Sequence, residues 1–304
     1  MSIFNRVGKF YQSLSFGNWK FLIGGLLFSI LWSSASTATK LGLTSAQPFV
    51  IATSRFCIAG LILLFISHIV LGNRLPVKGE WRSIMLYGLL NISIYLGLYV
   101  IAMQQVSAGL GSLAVAINPV FISLIAVSLL SHKITKRHLL SLLLCMVGVT
   151  LAAYPLIQHS YATPAGIGIL IASMVAYSLG TIYYSRVQWN GLHLLTINGW
   201  QTILGGIFLV PLLLFTYQPD KNLYDANFWK SVGWLAIPVS IGAVQLWLYL
   251  IRHNPIKAAF WLFLCPIFGF VLARILLQEP ISWFTFVGVV LVLSGLYLVQ
   301  RLNK

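Results

Sequence analysis

Acid–base chemistry in this chain would have to come from four carboxylates, Glu80, Asp220, Asp225 and Glu279. None falls in the middle of an apolar run. Glu80, Asp220 and Asp225 read as loop residues, and Glu279 as the edge of a run. The sequence has no His-Glu-x-x-His, no Gly-x-Ser-x-Gly and no aspartate pair within an apolar run, and Thr37-x-x-Lys40 is too short a match to count. Cys57, Cys145 and Cys265 are scattered singly through apolar runs, without a disulfide framework or zinc spacing. The expectation is a protein with no catalytic residues, no metal and no cofactor.

What remains is recognition chemistry. Gly88, Asn91, Tyr95 and Tyr99 recur at spacings of three and four, so they share one helical face. Gly242, Gln245 and Tyr249 repeat that spacing behind Pro238. A polar, aromatic stripe at mid-membrane should face protein or water rather than lipid. Both faces read as cavity wall, with helix–helix hydrogen bonding as the plainer alternative. Asn118 precedes Pro119, whose ring leaves a carbonyl four residues earlier unbonded; the amide either binds substrate or satisfies backbone. Trp247 and Trp261 lie deep in their runs, either packing or touching substrate. Trp32 and Ser33 in the first run, and Tyr177 in the sixth, lie on hydroxyl-rich stripes suited to ligand contact or close packing. Lys40, Arg55 and Arg274 are cations at or within the run ends. Snorkelling to headgroups suits Lys40 and Arg274. Arg55 lies about 10 Å into its run at 1.5 Å per residue, and reads as structural or gating rather than as a direct ligand.

These residues must be positioned by membrane helices. The chain has 304 residues, 59% of them hydrophobic and only 8% charged, against about 25% charged in a soluble domain. Ten apolar runs are long enough for a bilayer core of about 30 Å: 21–39, 48–71, 84–103, 110–130, 139–157, 166–184, 194–215, 232–251, 258–277 and 283–299. The net charge of +15 could suggest nucleic acid, but its distribution argues otherwise. With ten spans, fourteen of the nineteen Lys and Arg residues fall on the face that holds both termini. That bias predicts cytoplasmic termini in a multi-pass plasma (bacterial inner) membrane protein, with no nucleic-acid partner. Residues 6–20 are basic and lead into an apolar stretch and a small-residue cluster, as in a cleavable signal peptide. The chain also carries an internal repeat that needs this helix as the partner of the sixth, so it is expected to be retained.

In that repeat, Pro119-Val-Phe121 and Pro266-Ile-Phe268 stand 147 positions apart, and so do Gly148 and Gly295. Ala126, Leu129-Leu130 and Ile134 match Ala273, Leu276-Leu277 and Ile281 at the same offset. The expected fold is all-α and polytopic, with ten transmembrane helices in two repeats. Five helices per copy is an odd number, so the second copy enters inverted, and a shared cavity near the midplane gives alternating access. The expected organisation is a cytoplasmic segment at 1–20, a first repeat at 21–157 and a second at 166–301.

On these residues the chain resembles the drug/metabolite transporter superfamily in its EamA-type branch. The resemblance is carried by Trp32-Ser33 with Lys40, Ser54-Arg55-Phe56, the two Pro-x-Phe helices, and Leu277-Gln278-Glu279-Pro280 followed by Gly288 and Gly295. That family commonly places Glu after the fourth and ninth helices; Glu279 keeps it, and the first copy has His132. The resemblance implies an inverted five-plus-five fold, a central cavity, and transport of small metabolites, often export of amino acids or related compounds. With no carboxylate at mid-membrane, uniport or exchange of a neutral, zwitterionic or weakly anionic metabolite is expected. Uptake or antiport of a nucleotide-linked or phosphorylated compound, or a non-transporting membrane subunit, are the alternatives.

Overall fold

The computed structural model describes residues 19–129, 136–158, 161–253, 261–262 and 264–302. Most of the expected 1–20 segment lies outside the described residues, as do His132, Ile134 and the expected start of the ninth run at 258.

Lipid offers no partner to backbone N–H and C=O groups, so a chain this apolar satisfies them within helices. The helices are α1 (Trp19–Gly42), α2 (Pro48–Leu64, extended by a π turn Phe65–Val70) and α3 (Lys78–Gly88, π turn Leu89–Ile94, then Tyr95–Gln105). They continue as α4 (Ala108–Val115, then Asn118–Leu129), α5 (Lys136–Gln158), α6 (Pro164–Arg186) and α7 (Leu194–Thr216). The last are α8 (Ala226–Trp234, π turn Leu235–Ala243, then Val244–His253), α9 (Leu264–Leu277) and α10 (Trp283–Leu302). Among the described residues, seven helices are long and apolar enough to cross a membrane. Three shorter apolar stretches, Ala108–Ile122, Leu264–Leu277 and Trp283–Gly295, accompany them.

Local chemistry sets the ends and the breaks. Pro48 and Pro164 occupy the first turn of α2 and α6, where a missing N–H costs nothing. Ser107, Thr163 and Asp225 cap α4, α6 and α8 by accepting from Leu110, Gly166 and Phe228 N–H. The fourth run is not continuous. It breaks at Ala116–Ile117, where three-residue bonds (Ala116 N to Leu113 O, Ile117 N to Ala114 O) tighten the chain ahead of Pro119. Ahead of Pro266, Cys265 N similarly donates to Leu262 O.

Packing pairs α5 with α10, α2 with α7, α3 with α6, and α1 with both α8 and α9, while α4 also packs on α9. The α5–α10 contact is backbone to backbone. A Cβ added at Gly148 would lie 2.6 Å from Gly288 O, and one at Gly295 would lie 2.7 Å from Ser141 O. The two contacts use positions 141/288 and 148/295, each pair 147 apart. The Ser141 hydroxyl donates to Gly295 O. Outward, Leu214, Phe215, Ile275 and Trp283 are among many large apolar side chains left exposed, a surface suited to lipid.

Candidate functional site

Among the described residues, side chains from α1, α2, α3, α4, α7 and α8 line a cavity beneath this packing. It holds about 50 Å³, room for a few waters at about 10–15 Å³ each. Trp32, Tyr95, Tyr99, Leu96, Val239 and Val244 make its apolar wall, and Arg55, Asn91, Asn198, Gln201, Thr202 and Ser240 its polar one.

The polar wall is a connected chain. Asn91 Nδ2 donates to Gln201 Oε1 at 3.3 Å, Gln201 Nε2 to Asn198 Oδ1 at 3.0 Å, and Asn198 Nδ2 to Ser240 O at 3.2 Å. Arg55 Nε donates to Ser240 Oγ at 2.8 Å. Two of the three π turns among the described residues border this wall: Asn91 and Ile92 lie in that of α3, Val239 and Ser240 in that of α8. A π turn leaves the α-helical bonding pattern, and such turns are frequent at functional sites. Arg55 and Tyr99 also line a second, smaller cavity with Thr39 and Phe56.

Of the residues singled out from sequence, Trp32, Asn91, Tyr95, Tyr99 and Arg55 meet at the cavity. Tyr177 stands behind it, 4.9 Å from the Tyr95 ring and 6.4 Å from Trp32 between centroids. Trp247 stacks on Phe28 at 5.0 Å, away from the lining. Trp261 fills the space over Gly25, and its carbonyl accepts from Ser29 Oγ at 2.7 Å. Ser33 is buried and turns its hydroxyl back to Ser29 O at 2.7 Å. Tyr249 is half-buried against the core. Gln245 Nε2 and both amide atoms of Asn118 are buried without a hydrogen-bond partner among the described residues. Asn198, Gln201, Thr202 and Ser240 are additions. The first three recur at i, i+3 and i+4 in an otherwise apolar run, a spacing that could have flagged them.

Lys40, Glu279 and Arg274 gather around the α3–α4 turn. Lys40 does not reach outward to headgroups: its ammonium donates to Met103 O at 2.8 Å, in the last turn of α3, and to Val106 O at 2.7 Å, just past its end. The Glu279 carboxylate accepts from Ala108 N at 2.6 Å and Gly109 N at 3.1 Å, the first donors of α4. Arg274 leans on Glu279 O at 3.4 Å. The α3–α4 turn is thus held by a cation at a helix C-terminus and an anion at a helix N-terminus, the favourable sense for both dipoles. At the opposite end Glu80 is not a loop residue. It is buried in the first turn of α3, where Arg74 forks onto it with two bonds of 2.8 Å and also reaches Asn190 O at 3.0 Å. His68 joins Asn73 O at 2.8 Å and receives Trp200 Nε1 at 3.0 Å. A metal could find no cluster of three His, Cys, Asp or Glu side chains among the described residues.

The profile of the EamA-like transporter family matches this chain twice, over residues 5–154 and 164–301. The chain is similar to protein PecM of Dickeya dadantii, 26% identical over 277 residues, covering 90% of each. It is 27% identical over 271 residues to an uncharacterized transporter of Archaeoglobus fulgidus, covering 89% of this chain and 95% of the relative. The uncharacterized inner membrane transporter YedA of Escherichia coli is 26% identical over 286 residues, covering 90% of this chain and 91% of the relative. A crystal structure with a TM-score of 0.66 and 16% identity, covering 94% of this chain and 99% of its own, shares the fold. The chain belongs to the EamA-like transporter family within the drug/metabolite transporter superfamily, and is a multi-pass integral membrane protein.

Proposed function

We propose that this chain exports a small polar metabolite, an amino acid or a related neutral or zwitterionic compound, by alternating access. The carrier consists of ten helices in two inverted repeats, 21–157 and 166–301, with both termini in the cytoplasm of a bacterial inner membrane. Three observations support the repeat: the double profile match, the paired contacts at Gly148/Gly288 and Gly295/Ser141, and the π turns of α3 and α8, which overlap at an offset of 147. The observation that carries the function is the cavity, whose wall comes from α1 to α4 on one side of the chain and α7 and α8 on the other. In this orientation the Lys40–Glu279 closure faces outward and the Arg74–Glu80 closure inward.

Trp32, Asn91, Tyr95 and Tyr99 contact the substrate, with Gln201 and Asn198 completing the polar wall. Ser33, Asn118, Tyr177, Gln245, Trp247, Tyr249 and Trp261 pack behind it, where the Asn118 amide and Gln245 Nε2, unpartnered among the described residues, suit ordered water or a larger cargo in an opened state. Lys40, Arg274 and Glu279 gate, and Pro119 and Pro266 supply the breaks. All four acids lie at helix ends or loops, which favours uniport or exchange over proton coupling.

Thermal unfolding of the purified protein against amino acids, nucleotides, sugars and quaternary amines tests this reading. A ligand at a hundred times its dissociation constant stabilises by about 2.7 kcal/mol. Loss of that shift in Tyr99→Ala and Gln201→Ala is expected; a ligand indifferent to both variants places the site elsewhere. Concentrative transport in liposomes driven by a pH gradient alone contradicts uniport and exchange.

A further inference from the structure

We propose that Arg55 is the anion receptor of the cavity and that the cargo binds through a single carboxylate carrying an apolar body. The proposal rests on the reading of this cavity as the substrate site.

Arg55 lies within α2 and is 8% exposed. Its Nε is taken by Ser240 Oγ, and its guanidinium carbon sits 5.4 Å from the centre of the Phe56 ring. No acid meets its two terminal nitrogens, because all four acids of the chain are engaged or exposed elsewhere. Glu80 holds Arg74, Glu279 holds the first donors of α4, Asp225 caps α8, and Asp220 is exposed in a surface turn. A guanidinium does not deprotonate in proteins. An uncompensated charge in a low-dielectric interior is strongly unfavourable. The counter-charge must therefore come from something that enters and leaves.

One cation answers one negative charge. The neighbouring basic group, Lys40, donates to the Met103 and Val106 carbonyls, so among the described residues lining the cavity a dianionic phosphate finds no second cation. An ammonium on the cargo would meet no carboxylate either. The fork of Arg55 matches a carboxylate in two parallel bonds. In the same cavity, Trp32, Tyr95, Val239 and Val244 offer an apolar wall for the rest of the molecule.

The test is calorimetric titration of the full-length protein in lipid nanodiscs with four ligands on one scaffold: 3-phenylpropionate, phenylalanine, 3-phenylpropanamide and 3-phenylpropylamine. The two carboxylates should bind at least tenfold tighter than the amide and the amine. This comparison needs no variant. Arg55→Met should then lose at least tenfold in carboxylate affinity, and its unfolding midpoint without ligand should match or exceed that of the unaltered protein, since an unpaired buried charge has gone. Arg55→Lys should keep part of the preference. Amide or amine binding as tight as carboxylate overturns the proposal, and so does unchanged carboxylate binding in Arg55→Met. If the amine binds and depends on Tyr99 and Gln201, the cavity reading stands and only the anion receptor falls. If Tyr99→Ala and Gln201→Ala alter none of the four affinities, both fall.

Discussion

The α5–α10 pair and the α3 and α8 helices use opposite solutions to the same dry environment. In α5 and α10 small residues let two regular helices approach until backbone nearly meets backbone at Gly148 and Gly288. In α3 and α8 the winding itself departs from the α pattern, at Leu89–Ile94 and Leu235–Ala243, and side chains there face a cavity. Close contact of small residues gives a rigid seam with dispersion on every side. Irregular backbone is tolerated in a membrane only where protein or a cavity meets its polar groups, as Ser93 Oγ meets Gly205 O at 2.7 Å and Ser240 O receives Asn198. One pair is joined by close backbone contact; the other two helices give up regular winding where they border the cavity.

The harshest way to break this contrast is to put bulk into the seam. Gly148→Leu drives a side chain into the Gly288 backbone, and a destabilisation of about 3 kcal/mol, the upper end of the usual overpacking cost, is expected, read as a fall in the unfolding midpoint in detergent. A tolerated Leu would mean that the seam is as adjustable as the cavity wall. Next is Lys40→Met, which leaves the Met103 and Val106 carbonyls without their donor. A loss of about 1–3 kcal/mol is expected, together with faster amide exchange over 103–109 and unchanged exchange along α5. Equal acceleration in both regions would erase the distinction. Glu279→Gln keeps an acceptor for the α4 donors but removes its charge, so a smaller loss of about 1 kcal/mol is expected, with exchange again localised to the α3–α4 turn.

The smallest effect concerns the start of α8. The Phe228 N–H holds the Asp225 carboxylate below the ordinary aspartate range, with Ser45 adding to it. A depressed folded value means that the cap's contribution is present above the unfolded aspartate value and fades as pH falls through the folded one. Exchange in the first turn of α8 should therefore quicken on strong acidification, and Asp225→Asn should remove that pH dependence. Acid sensitivity that persists in Asp225→Asn assigns it to another group.

Much of the cavity is legible in the sequence because its residues break an apolar background. Asn91, Tyr95 and Tyr99 stand out at spacings of four, which the π turn of α3 keeps in line. The same device hides the register of α8. Gln245, which α-helical spacing aligns with Gly242, lies beyond a nine-residue π turn that rotates the rest of the helix, so Ser240 and Val244 face the cavity instead. The fourth run reads as continuous because a proline's break depends on which carbonyls find other donors, and Ile117 and Ala116 settle that locally.

By itself the sequence determined the environment, the family and most of the helices. Composition decides which solvent a chain can face, and apolar length decides what can span it. The pairing at distance was decided only by the tertiary structure. That Lys40 holds the end of α3, that Glu279 serves the start of α4, and that Arg55 meets Ser240 and no acid are facts about groups 63 to 185 residues apart. Local periodicity gives the face of a helix. It carries no term for which distant carbonyl or hydroxyl that face will meet, and in a dry interior that meeting sets whether a charge is a strut, a latch or a receptor.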